Sequence, residues 1–65
     1  MRITVNGEEQ SVSAETLEAL LETLQYNAQL VATAHNGTFV PRADRKDTAL
    51  TEGDRVEIVS PIEGG

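Results

Sequence analysis

At 65 residues the chain has room for one small domain and for no enclosed cofactor cavity or substrate cleft of ordinary size. It carries 5 Lys and Arg against 11 Asp and Glu, a net charge of −6, and no cysteine. A disulfide framework, a thiolate metal site and a thiol nucleophile are thereby excluded, and an acidic surface disfavours a phosphate backbone as partner.

Met1, Ile3 and Val5 alternate with Arg2, Thr4 and Asn6, the period-two pattern of a half-buried strand. Asn6-Gly7 follows, and both residues accept the positive φ of a two-residue hairpin turn. A weaker strand is predicted to return over about Gln10 to Ser13, with Val12 facing in and its polarity suiting an edge. Ser13-Ala14-Glu15-Thr16 is predicted to open a helix, with Ser13 as the cap and Glu15 near the positive end of the dipole. Leu17, Leu20, Leu21 and Leu24 fall at i, i+3, i+4 and i+7, one helical face. Glu15, Glu18 and Glu22 lie off that stripe and read as a solvated face. Gln25-Tyr26-Asn27 ends the pattern.

Leu30 to His35 reads as a strand apolar on both faces, hence central or nearly so. Asn36-Gly37 predicts a second hairpin turn, and Thr38-Phe39-Val40 a short strand stopped by Pro41. Residues 42–49 hold three of the basic residues and read as a charged loop, with Leu50 pinning its end to the core. Glu52-Gly53-Asp54 is a turn before a last strand, Arg55 to Val59, with Val56 and Ile58 on one face. The order β-β-α-β-β-β implies a two-layer α+β domain over residues 1–59, a mixed sheet of four to five strands with one main helix, and a flexible tail over 60–65. The Leu stripe should pack against Ile3, Val5, Val56 and Ile58, and Leu20→Ala or Leu21→Ala should cost about 2–5 kcal/mol. One helix cannot cover both sheet faces, so apolar surface around Val31, Phe39 or Val59 is expected to stay open as a partner site.

No residue group has the form of a catalytic centre. His35 is the single histidine and stands beside a hairpin turn, where a structural role is expected. Nothing has metal-ligand spacing, and no glycine-rich phosphate loop is present. No apolar run approaches the roughly 18 residues of a membrane span, and the alternating N-terminus has no signal-peptide core. A monomeric cytoplasmic protein that is not itself an enzyme, with no bound cofactor or metal, is therefore expected.

The informative segment is Ser60-Pro61-Ile62-Glu63-Gly64-Gly65. Two final glycines arise by chance in roughly one chain in 200, which favours a functional end over an incidental one. Without a Cβ, Gly64 and Gly65 can enter a narrow tunnel and leave the terminal carboxylate sterically open. A carboxylate is a poor electrophile. A partner that transfers adenylate to Gly65 makes a mixed anhydride, from which a sulfur nucleophile displaces AMP and leaves a thiocarboxylate. Five residues beyond Ser60 span some 16 Å when extended, enough to reach a neighbour's active site. Phe39, Val59 and Ile62 are the candidate docking residues.

The whole chain resembles the ThiS family, the ubiquitin-like β-grasp sulfur carriers of thiamine biosynthesis. The resemblance rests on Ile3-Thr4-Val5-Asn6-Gly7, the leucine-rich helix, Val31 to Gly37, Phe39-Val40-Pro41-Arg42, Leu50 to Val59 and Gly64-Gly65. It implies adenylation of Gly65 by an E1-like enzyme (ThiF) at the expense of ATP, sulfur drawn ultimately from a cysteine desulfurase, and delivery to thiazole synthase (ThiG). His35 stands where the family commonly has an aliphatic residue, and Arg45 near a position often held by Trp. Two alternatives stay open: the small subunit of molybdopterin synthase, which uses the same thiocarboxylate, and a β-grasp protein modifier or binding module.

Overall fold

The computed structural model describes residues 1–60. Seven elements follow in order: β1 (Arg2–Val5), β2 (Glu8–Ser11), α1 (Leu17–Thr23), β3 (Ala32–His35), β4 (Thr38–Val40), a 3-10 helix (Arg42–Asp47) and β5 (Arg55–Val59). The strands form one mixed sheet in the order β2-β1-β5-β3-β4. The last of the described strands, β5, is thus the middle strand of the sheet. It runs parallel to β1, with Val5 opposite Val56, and antiparallel to β3, with Thr33 opposite Ile58. This is the two-layer α+β arrangement expected from the element order, and the ubiquitin-like β-grasp architecture that the family resemblance implied.

Both hairpins close on the predicted Asn-Gly pairs. Asn6 and Gly7 have φ of 51° and 84°, and Asn36 and Gly37 have 51° and 85°. A turn of two left-handed residues matches the twist of the flanking strands. It also shifts β2 from its predicted place: pairing resumes at Glu8, so the strand spans Glu8–Ser11 rather than Gln10 to Ser13. Val12 lies just beyond it, half-buried against the core, and exchanges hydrogen bonds with Met1.

The helix begins later than predicted. Thr16, not Ser13, is the cap, and its Oγ1 accepts the Ala19 N–H at 3.1 Å. Residues 15 and 16 are held extended by non-local bonds: Leu50 N–H donates to Glu15 O, and Thr16 bridges Ala49. A segment paired in this way cannot also wind into a helix. At the other end Gln25 takes φ 64°, Tyr26 N–H reaches Leu21 O and Gln25 N–H reaches Glu22 O. This pair of bonds satisfies the free carbonyls of the last turn.

The leucine stripe meets the sheet as expected. Leu17, Leu20 and Leu21 are fully buried with Ile3, Val5, Val56, Ile58, Val40 and Leu50. Each such aliphatic side chain contributes about 1.5–3 kcal/mol on burial. The sequence-based loop over 42–49 is in part a 3-10 helix packed against α1. Its Arg45 is buried, with Nε donating to Thr33 Oγ1 at 3.2 Å, Nη1 to Ala28 O at 2.8 Å and Nη2 to Val31 O at 2.7 Å. These bonds tie residues 28–31 to the helix layer. They explain why the third strand starts at Ala32 rather than Leu30, since the Val31 carbonyl is spent on Arg45. Val31 packs against the core and is not part of the open surface.

Candidate functional site

The helix covers one face of the sheet. On the other face β3 offers only small side chains, Ala32 and Ala34, between larger ones on its neighbours. Ala34 pairs with Phe39 on one side, and Ala32 with Val59 on the other. Phe39 is 64% exposed and Val59 61% exposed. Small residues flanked by large ones leave an open apolar hollow of about 550 Å³, which Phe39 and Val59 line together with Ala32, Ala34, Asn6 and Glu57. Two of the docking residues expected from sequence are thus brought to one surface. Ile62, Gly64 and Gly65 lie outside the described residues.

Asn6 was legible in the sequence only as a turn former. In the structure its carboxamide also pairs with the backbone of β5. Oδ1 accepts the Ile58 N–H at 2.7 Å, and Nδ2 donates to Ile58 O at 3.1 Å. Asn36 serves the opposite end of the same strand. Its Oδ1 accepts the Arg55 N–H at 2.8 Å, and its Nδ2 donates to Asp54 Oδ1 at 3.1 Å. The middle strand is therefore secured at both ends by a side chain from a hairpin turn. The sole sequence signal was the Asn-Gly pair itself, because Gly-Gly or Asp-Gly would also close the turn but could not both donate and accept in this way.

Asp54 is the hub of the polar cluster at the start of β5. His35 Nε2 lies 2.7 Å from Asp54 Oδ2, the Thr51 N–H donates to Oδ2 at 2.9 Å and Thr51 Oγ1 to Oδ1 at 3.0 Å. Burial alone would raise the Asp54 pKa. The hydrogen bonds from His35, Thr51 and Asn36 outweigh it and hold the carboxyl well below its ordinary range. Every member of this cluster is occupied in joining the Asn36-Gly37 turn to β5, so His35 has the structural place expected of it. Among the described residues no three His, Cys, Asp or Glu side chains converge to hold a metal ion. No helix among them is long and apolar enough to cross a membrane.

The hollow can accept an apolar side chain of another protein. Among the described residues that line it, Glu57 is the one ionisable side chain. The comparisons with known proteins decide the family, for the ThiS family model matches residues 3–65. The chain belongs to the ThiS family. Among solved structures, the crystal structure of the thiamine biosynthesis protein ThiS from Geobacter metallireducens is 33% identical, with each chain covered in full and a TM-score of 0.84. A solution structure of a thiamine biosynthesis protein from the same organism gives 33% identity over all of this chain and 88% of that one, with a TM-score of 0.80. The chain is also 41% identical over 66 residues to a thiazole synthase of Paramagnetospirillum magneticum, and it spans 20% of that protein's length. An uncharacterized protein, ycf40, of Porphyra purpurea is 33% identical over 97% of this chain and 90% of its own length. In this ThiS-family chain, then, the described residues form an open apolar hollow beside a strand end secured by Asn6.

Proposed function

We propose that the protein is a sulfur carrier of thiamine biosynthesis, a co-substrate of cytoplasmic partner enzymes rather than an enzyme. The Gly65 carboxylate attacks the α-phosphorus of ATP held by an E1-like enzyme of the ThiF type, and pyrophosphate leaves. A sulfur nucleophile, supplied ultimately by a cysteine desulfurase, then attacks the acyl adenylate and expels AMP, leaving a thiocarboxylate on Gly65. A thiazole synthase of the ThiG type takes the sulfur. Phe39, Val59 and Ile62 dock these partners, and Gly64 lets the end pass into a narrow active site.

The observation that carries this reading is the ThiS family match, which runs through residue 65 and so takes in Gly64 and Gly65. The likeness to a thiazole synthase supports the choice of acceptor. The apolar character of the hollow, with Phe39 and Val59 exposed on it, fits a body that is recognised while chemistry occurs at Gly65. Incubation with ATP, the cognate E1-like enzyme and sulfide should raise the intact mass by about 16 Da, one oxygen replaced by sulfur. An unchanged mass, or the same gain in a chain lacking Gly65, overturns the proposal. Transfer to thiazole synthase rather than to molybdopterin synthase then separates the two pathways.

A further inference from the structure

The β1–β5 ladder does not stop where the backbone of β1 turns away. Thr4 N–H donates to Asp54 O at 2.9 Å and Asn6 N–H to Val56 O at 2.9 Å. The next rung would need more of β1, but the chain reverses at Asn6-Gly7 into β2. The Asn6 carboxamide supplies that rung instead, through its two bonds to Ile58. Asn6 also lines the apolar hollow beside Val59. One side chain therefore joins the docking surface to the point at which β5 ends.

We infer that Asn6 is a positioning residue for the terminal carboxylate: by clamping Ile58 on the β1 side, it sets the place from which the chain beyond β5 departs while the hollow is docked. The inference rests on the sulfur-carrier reading of Gly65. With the clamp, Gly65 is the seventh residue beyond Ile58, a reach of about 23 Å if extended. Without it, β5 past Val56 keeps its pairing with β3 and the core contact of Ile58 but loses its bonds on the β1 side, so the end of the strand frays more often. A longer and looser tether dilutes the carboxylate at the partner's nucleotide. The β3–β4 wall of the hollow, Phe39 with Ala34, does not depend on the clamp, so the loss falls more on turnover than on apparent affinity.

Two variants test this with the full chain and the E1-like enzyme. Asn6→Gly keeps the positive φ of the turn and removes the carboxamide. Asn6→Asp is nearly isosteric, but it sets an oxygen against Ile58 O where a donor stood, and it carries the same test if the glycine variant fails to fold. Ile3→Val serves as a control for loss of stability alone. The expected result is a fall in kcat of roughly twofold to fivefold that exceeds any change in KM. In the same variants the Ile58 amide should exchange hydrogen roughly fivefold to tenfold faster relative to the Thr4 amide, which lies in the same ladder. Wild-type kinetics in both variants, equal acceleration of the two amides, or an equal kcat loss in Ile3→Val would overturn the inference while leaving the carrier reading intact. A wild-type chain that gains no sulfur overturns the carrier reading, and the positioning role falls with it.

Discussion

Asp54 Oδ2 and His35 Nε2 lie 2.7 Å apart, joining the start of β5 to the end of β3. The same carboxylate accepts from Asn36 and from both the backbone and the hydroxyl of Thr51. One acidic side chain thus holds two turns against the middle strand.

Acid should loosen this arrangement. The folded-state pKa of Asp54 lies below its ordinary value, so its contribution to stability is complete above the unfolded value of about 3.9 and is lost as pH falls toward the folded one. Asp54→Asn should lower the urea midpoint by a constant amount above about pH 5 and by progressively less below about pH 4. A gap between wild type and variant that stays constant down to pH 2 would contradict the assignment.

Arg45 should matter for stability although it lies in a charged stretch. Burial, and next the charge of Arg42, lower its pKa, while Glu18 opposes them. The guanidinium remains charged, and its cost is met by bonds to Ala28 O, Val31 O and Thr33 Oγ1. Arg45→Ala should cost about 2–4 kcal/mol in chemical denaturation, because two carbonyls and a buried hydroxyl lose their donor. Arg45→Lys should recover only part of this, since an ammonium cannot copy the planar fork.

Phe39 should show the opposite behaviour. It is 64% exposed, so Phe39→Ala should shift unfolding by less than about 0.5 kcal/mol. On the proposed function it should raise KM for the adenylating partner, because it removes one wall of the hollow. A collapse of the thermal transition in this variant would show that Phe39 supports the fold instead.

Gln25 carries the left-handed φ of 64° that ends α1. Glycine adopts that angle without a Cβ penalty. Gln25→Gly should therefore raise stability by about 0.5–1 kcal/mol, read from the urea midpoint. An unchanged or lower midpoint would show that the Gln25 side chain contributes more than its backbone strain takes away.

Sequence alone determined what depends on neighbours along the chain. Alternation over Met1 to Asn6 and Arg55 to Val59 marked two strands, the spacing of Leu17, Leu20, Leu21 and Leu24 marked the helix and its buried face, and Asn6-Gly7 and Asn36-Gly37 marked the hairpins. The open face followed from the count of one helix against one sheet; Phe39 and Val59 lie exposed on it, whereas Val31 packs against the core. Tertiary structure alone decided the rest. The helix start moved to Thr16 because residues 15 and 16 pair with residues 49 and 50. Arg45 is buried because carbonyls from residues 28 and 31 converge on it. Asn6 reaches Ile58 across 52 positions of sequence. Periodicity and turn chemistry are local properties, whereas a hydrogen bond between distant segments has no local pattern and exists only once the sheet order β2-β1-β5-β3-β4 has brought its partners together.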